Sequence, residues 1–450
     1  MRTRETTIIR HWKVSWRAWL VFWIARIFVK PLFAAWPTTD RGIAALGHLE
    51  KVVDRLPKPK GVTIEPMTLG GVPSELISHH RKAADSLAGA TVLYFHGGGF
   101  VFCGLATHRS LCAVLAARAG VPVISVEYRQ LPYGGIGTSI HDAMAAYTDL
   151  LDRAEDPTKI ILAGDSAGGY LAMKVAELAA TRGMVTPAAV IGYSPLLNLA
   201  LEKHDPDYMR RDAYLPMSQV EALKDRWAGG PEPIAGADSP IEADPRVYPP
   251  VFFSVAQYEL MRPDVEAMTG MLEDVGQAVE THVWSGQIHA YPVMGTVLTE
   301  ATMTIAFSLD FARRALVTAA GTPPDLQAQR LDLLAQVRLG LLDRGGDERL
   351  DQPAQGLAGQ PARQFVAEVD GQLGAVVADR GEHPTGPVAE SGDRGQRDEP
   401  IPLPLGDLDR RLQRLGAELH RRVVRAPRPW SRSPIGTNRL MPNIQSGTFR

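Results

Sequence analysis

Apolar and polar positions alternate in two rhythms along the first 320 residues. Short runs rich in β-branched and aromatic residues recur at 62–68, 73–78, 91–95, 122–127, 159–163, 188–193, 250–255 and 279–284, which predicts eight strands. Between most of them the apolar positions fall at helical spacing. One such segment, 107–119, opens on an N-cap candidate at Thr107 and stops before Gly120. Strand and helix in alternation predict an α/β architecture, a mostly parallel eight-stranded sheet with helices on both faces. Only Gly70-Gly71 separates the first two runs, which predicts an antiparallel hairpin at the sheet edge.

The two ends of the chain break this rhythm. Residues 12–36 are dense in Trp, Phe and Ile, yet the longest charge-free run, 18–25, is far shorter than the ~20 apolar residues that span a bilayer. Arg26 and Lys30 follow the apolar stretch, a poor fit to a secretory signal. At 100° per residue, Arg10, Lys13 and Arg17 share one side and Arg26 and Lys30 the other, so no clean membrane-surface stripe is expected. Two readings stay open: a cap helix over an active-site mouth, which is favoured, and peripheral membrane contact through 12–36. The expected location is cytoplasmic, with membrane association under the second reading.

Residues 321–450 contain 18 arginines and no lysine, whereas the preceding part holds 20 arginines and 10 lysines. Phe365, Trp430 and Phe449 are the aromatic residues of this segment. It buries too little apolar surface to offset its ordering entropy, so 319–450 reads as a disordered Arg-rich tail. The resulting division is 1–60 as N-terminal cap helices, 61–318 as the catalytic domain and 319–450 as the tail.

Composition narrows the class. Hydrophobic residues make up 45% of the 450-residue chain, enough for a large core, and the net charge of −2 gives no hint of nucleic-acid binding. Cys103 and Cys112 form no disulfide framework, and no Cys/His cluster has zinc spacing.

The candidate chemistry lies in two glycine-rich motifs. Gly164-Asp165-Ser166-Ala167-Gly168-Gly169 follows the apolar run 160–163 and precedes a helical pattern. That fits a strand, a sharp turn exposing the Ser166 hydroxyl, and a helix. Side chains at Gly164 and Gly168 would collide in so tight a turn. Upstream, the strand 91–95 runs into His96-Gly97-Gly98-Gly99. Bare backbone N–H groups there suit an oxyanion, with Gly98 and Gly99 joined by Ala167. No G-K-[ST] follows, which argues against a phosphate loop.

A serine needs a base and a carboxylate to orient that base. Among His204, His282, His289, His383 and His420, His282 is fixed within a strand, whereas His289 follows the strand 279–284 in a loop. Loops at strand carboxyl ends are where open α/β sheets place their sites, so His289 is the candidate base. For the acid, Glu259 comes directly after the strand 250–255 and ranks first. Asp264, behind Pro263 at an expected helix start, is the reserve.

With these residues in the order Ser, acid, His, the chain resembles the hormone-sensitive-lipase-like family of α/β-hydrolases, bacterial carboxylesterases and acetyl-hydrolases among them. Glu127-Tyr128-Arg129-Gln130-Leu131-Pro132, Tyr193-Ser194-Pro195-Leu196-Leu197-Asn198-Leu199 and Gly286-Gln287-Ile288-His289 extend the likeness, which covers about residues 60–315. The resemblance implies the α/β-hydrolase fold with a helical cap, completed by an insertion at about 198–244. It implies Ser166 as nucleophile, His289 as base, and Gly98, Gly99 and Ala167 as oxyanion donors within the His96-Gly97 motif. Where the family usually carries Asp this chain has Tyr258-Glu259, so Glu259 would act in its place. The implied activity is hydrolysis of short- to medium-chain acyl esters, small molecules, with no metal or organic cofactor. Two alternatives stand beside it: a non-catalytic small-molecule receptor on the same fold, and a membrane-associated lipid-ester lipase.

Overall fold

The computed structural model describes residues 7–80, 87, 89–200 and 206–321. The tail beyond residue 321, with His383 and His420, and the position of His204 lie outside the described residues. The strands are β1 (Ile8–His11), β2 (Val62–Leu69), β3 (Val72–His79), β4 (Thr91–Phe95), β5 (Val123–Val126), β6 (Ile160–Asp165), β7 (Ala189–Tyr193), β8 (Val251–Ala256) and β9 (Val279–Trp284). They form one sheet in the order β1-β9-β8-β7-β6-β4-β5-β3-β2. Every neighbouring pair from β1 to β5 is parallel. β2 and β3 close the far edge as the expected antiparallel hairpin.

Nine strands rather than eight is the correction to the sequence reading. β1 has four residues and no apolar alternation to reveal it. It is defined by its partner: Ile8 pairs Thr281 and His11 pairs Trp284, and the Thr7 hydroxyl bonds the Glu273 carboxylate.

Alternation along the strands sorts side chains to two faces. Val92 and Tyr94 join Leu111, Leu115, Ile305 and Leu309 in one core. These come from α4 (Leu105–Ala119) and α10 (Thr299–Gly321). Leu93 and Phe95 join Ile140, Leu171 and Val265 in the other, from α5 (Ile136–Arg153), α6 (Ala167–Thr181) and α9 (Arg262–Asp274). α4 starts at Leu105, two residues before the expected cap. There the Glu127 carboxylate accepts the Leu105 N–H at 2.9 Å and Thr107 bonds back to Gly104. Gly120 ends it in the left-handed conformation.

Two helical segments meet over the carboxyl ends of the strands. The first comprises α1 (Trp16–Ile24), a π-turn (Ala25–Val29), α2 (Lys30–Ala34) and α3 (Asp40–Asp54). The second comprises α7 (Pro206–Arg211) and α8 (Met217–Ala228). Side chains capping backbone carbonyls hold them together. Lys30 Nζ donates to the Met209 and Asp212 carbonyls at 3.1 and 2.6 Å. Gln219 donates to the Ala34 and Trp36 carbonyls, and Arg226 bonds the Thr38 carbonyl and the Asp40 carboxylate. Among the described residues, no helix is long and apolar enough to cross a membrane.

Candidate active site

Ser166 stands between β6 and α6 with φ 52° and ψ −117°, a conformation costing a non-glycine residue about 1–3 kcal/mol. Its neighbours hold it there. Its N–H donates to the Tyr193 carbonyl at 2.9 Å, and its carbonyl accepts from Leu196 and Tyr170. A Cβ on Gly168 would strike the Phe95 carbonyl, and one on Gly164 the Gly168 backbone. The turn therefore closes only with bare glycine backbone at those points.

His289, in the loop after β9, sets Nε2 2.8 Å from Ser166 Oγ. Glu259, in the loop after β8, sets Oε2 3.6 Å from His289 Nδ1. That is ion-pair rather than hydrogen-bond distance. Both groups are buried. Burial opposes charge on the imidazole, but the Glu259 carboxylate outweighs it and holds the His289 pKa above its usual value. Burial is also the main reason that the Glu259 pKa is raised. Asp264 is elsewhere: it lies in the first turn of α9 and accepts from the Asn198 amide at 3.2 Å.

Ser194, just past β7, links the acid and the base. Its hydroxyl donates to Glu259 Oε2 at 2.9 Å and accepts the Ala290 N–H at 3.0 Å. Ser194 and Ala290 both adopt positive φ, 48° and 53°, so two strained residues flank the pair. Asp212 pins the same region from outside. It accepts the Leu260 N–H at 3.0 Å and the Tyr214 and Leu215 N–H groups at 2.7 and 2.8 Å.

The glycine run reaches the nucleophile from β4. Gly98 (φ 117°) leaves no room for a Cβ against the Phe102 carbonyl. Among the described residues, the N–H groups of Gly98, Gly99 and Ala167 have no protein acceptor. They are three donors available beside Ser166.

Beneath them is a buried polar cluster that sequence reasoning missed. Asp165 Oδ1 accepts from the Tyr94 hydroxyl at 2.6 Å and from the Gly97 N–H at 2.9 Å, with His108 Nε2 at 3.2 Å. Burial would raise the Asp165 pKa, but the His108 charge and these hydrogen bonds outweigh it and lower the pKa. His96 stacks on Tyr128 with ring centres 4.3 Å apart, and burial depresses its pKa to about 4. Asp165 thus braces the glycine run against the elbow. The motif contained Asp165, but its partners Tyr94 and His108 sit on separate elements that no local pattern connects to it.

Ser166 and His289 open into a cavity of about 330 Å³ with almost entirely apolar walls. Phe33, Trp36 and Ile43 come from the N-terminal segment, and Tyr214, Leu223 and Trp227 from the second helical segment. Trp227 is fixed by donating to the Gly99 carbonyl at 2.9 Å. His282 takes no part: it is buried in β9 between His11 and Glu280, at 2.9 Å from each. Among the described residues, no group of His, Cys, Asp and Glu side chains could hold a metal ion.

Comparisons with known proteins agree with this fold. The α/β-hydrolase fold family matches residues 92–293. The carboxylesterase/phospholipase LipF of Mycobacterium tuberculosis is 34% identical over 252 residues, which are 54% of this chain and 66% of LipF. The chain therefore spans just under two thirds of that relative. Esterase LipU of the same organism is 33% identical over 234 residues, 50% of this chain and 77% of LipU. The crystal structure of an esterase from the bacterial hormone-sensitive lipase family superposes with a TM-score of 0.59 at 27% identity, covering 67% of this chain and 99% of that one. Fold, motifs and relatives agree, and the chain belongs to the hormone-sensitive-lipase-like family of α/β-hydrolases.

Proposed function

We propose that this protein is a serine carboxylesterase that hydrolyses esters with short to medium acyl chains. The observation that carries the reading is the 2.8 Å contact between His289 Nε2 and Ser166 Oγ, within reach of proton transfer. Ser166 Oγ attacks the acyl carbonyl while His289 Nε2 takes its proton. The Glu259 carboxylate orients the imidazole and stabilises its cation. The N–H groups of Gly98, Gly99 and Ala167 donate to the developing oxyanion. His289 then protonates the leaving alcohol, and water, activated by the same base, releases the acid from Ser166.

The cavity supports the substrate class. Its walls suit an uncharged acyl chain, and about 330 Å³ lies at the small end of ligand pockets. The names of LipF and LipU, which include carboxylesterase and esterase, support the same reading. The segments 1–60 and 198–244 act in this reading as a cap, the inner side chains of the first closing the cavity. A p-nitrophenyl ester series from acetyl to palmitoyl tests it, with fluorophosphonate labelling of Ser166. Turnover should peak at short to medium chains, and labelling should vanish in Ser166→Ala. A wild-type protein that takes no label and turns over no ester would favour a receptor instead.

A further inference from the structure

The outer face of the N-terminal segment is an exposed apolar surface that the proposed chemistry leaves unused. Trp12, Trp16, Trp19, Leu20, Ile24, Phe28 and Leu32 are all exposed, Trp16 at 70% and Phe28 at 66%. The inner face is buried at Ala18 and Ala25. Soluble proteins seldom leave so much contiguous apolar surface to water without a partner for it.

The backbone keeps this face in line. Trp16, Leu20, Ile24, Phe28 and Leu32 are four apart, and on a straight α-helix that spacing drifts about 40° per step, roughly 160° in all. The π-turn Ala25–Val29, closed by the Lys30 N–H on the Ala25 carbonyl, takes up one extra residue and returns about 100° of that drift. Leu32 thereby ends about 60° from the side of Trp16 instead of about 160°. The cations do not follow this face as a single stripe: Arg26 and Lys30 turn inward to the carbonyls of 209–212, while Lys13 and Arg17 stay outside.

Charge selects the partner. Residues 6–39 hold five cations, Arg10, Lys13, Arg17, Arg26 and Lys30, and no Asp or Glu; Arg26 and Lys30 reach inward carbonyls and Arg10 meets Glu266, which leaves Lys13 and Arg17 for the outer face. Lys13 and Arg17 are exposed beside Trp12 and Trp16, and the Arg17 guanidinium lies over the Trp16 ring. Acids reaching the segment from other elements are already engaged: Glu300 by Ser15, and Glu266 by Arg10 and Arg262. Exposed Trp, Phe and Leu bordered by cations match the interface of an anionic bilayer, where indole rings sit at headgroup depth and cations meet acidic lipids. We propose that the outer face of α1, the π-turn and α2 docks on an anionic phospholipid surface. The same segment continues into Phe33 and Trp36 of the cavity wall, so docking brings the cavity mouth towards the lipid.

Vesicle flotation of the full chain tests this, with phosphatidylcholine vesicles alone or mixed with phosphatidylglycerol. Wild type should float with the anionic vesicles, and added salt should weaken the binding. The triple variant Trp12→Ser/Trp16→Ser/Phe28→Ser should lose about tenfold or more of that binding. Lys13→Glu/Arg17→Glu should lose the preference for anionic lipid. Both should hydrolyse p-nitrophenyl butyrate within about twofold of wild type, because these positions lie outside the cavity. No flotation of the wild type, or equal flotation of wild type and triple variant, overturns the proposal. So does a wild-type dimer by light scattering that the triple variant splits while vesicle binding is unchanged; the face would then meet a second copy. Butyrate hydrolysis is read separately, so failure to dock is distinct from failure of the esterase reading.

Discussion

The floor of the cavity and its roof solve opposite problems. At the floor, five parallel strands deliver Gly98, Ser166, Ser194, Glu259 and His289 from their carboxyl ends. Asp165, Ser194 and Asp212 tie the loops there by hydrogen bonds, and five residues of these loops sit at positive φ without being glycine: Phe100, Cys103, Ser166, Ser194 and Ala290. The roof has little of this. Its helices are joined by long side chains reaching carbonyls, such as Lys30 to Asp212 and Gln219 to Trp36, and its outer surface is apolar and exposed. A reacting group must be held to a fraction of an ångström, which strained, hydrogen-bonded backbone can do. A surface that admits greasy substrates needs shape and area instead.

The sharpest break between the two regions is chemical. Ser166→Ala should lower ester turnover on the order of 10⁴–10⁶-fold while the melting temperature stays close to wild type. No single substitution in the roof should approach that loss in the same p-nitrophenyl butyrate assay; one that did would place chemistry in the roof.

Next comes the acid. Glu259→Gln should cost about 10³-fold or more in kcat, because the imidazole loses both its orienting group and its counter-charge. Asp264→Asn, which alters the contact with Asn198 rather than one with the imidazole, should cost less than about tenfold. The pH profile supplies an independent readout. His289 must be neutral to accept a proton, and Glu259 holds its pKa above 6.5. Activity should therefore rise as pH climbs through that raised value, and in Glu259→Gln the rise should move to lower pH. The opposite ranking of the two variants would transfer the acid role to Asp264.

Glycine separates floor from roof by folding rather than catalysis. Gly168→Ala drives a methyl group into the Phe95 carbonyl and should cost more than about 2 kcal/mol. Gly47→Ala, inside α3 with nothing within 4 Å of the new Cβ, should stabilise by about 0.5–1 kcal/mol. Thermal melts of the two should move in opposite directions.

The same contrast explains what could be read from the chain. Ser166 and the glycines are legible because a sharp turn admits few residue types, and those types sit next to one another. The strands are legible because burial on both faces demands unbroken apolar runs. Asp165 stood inside the motif without a readable role, since its meaning depends on Tyr94 and His108. Ser194 stands in a family-like run, but its bonds to Glu259 and Ala290 exist only once β7, β8 and β9 lie side by side. In the roof, the π-turn changes the helical phase part-way along, and no fixed period can follow that. β1 is four residues whose strand character comes wholly from β9.

A milder test keeps the floor intact and loosens the roof. Trp227 closes the cavity from α8 and is anchored to the Gly99 carbonyl. Trp227→Ala should raise KM for longer acyl chains by about three- to tenfold, through lost apolar contact. Its kcat for acetyl esters should change less, because Gly99 keeps its amide. A large fall in kcat with unchanged KM would instead make Trp227 a prop for the oxyanion donors.

The smallest effect lies where the N-terminal segment joins the sheet. His11 stacks on Trp284 at 3.8 Å and shares a 2.9 Å contact with His282. Two adjacent imidazoles can share one proton but resist two. Burial, then the His282 charge, depresses the His11 pKa from 6.5 to about 4. The sign follows from that depression. The unfolded ring takes up a proton as pH falls through 6.5 and the folded ring resists it until about 4. The attachment is thus fully stabilising above pH 6.5 and weakens as pH falls towards 4. The ring is partly open to solvent, so after screening the loss should be only about 1 kcal/mol. Hydrogen exchange at β1 and α1 should accelerate over that interval while the amides of β6 and β7 stay protected. His11→Phe, which keeps the stack on Trp284 and removes the titrating ring, should abolish the pH dependence at β1. Equal acceleration in both sheet regions would mean that the acid effect is global, and that roof and floor unfold as one.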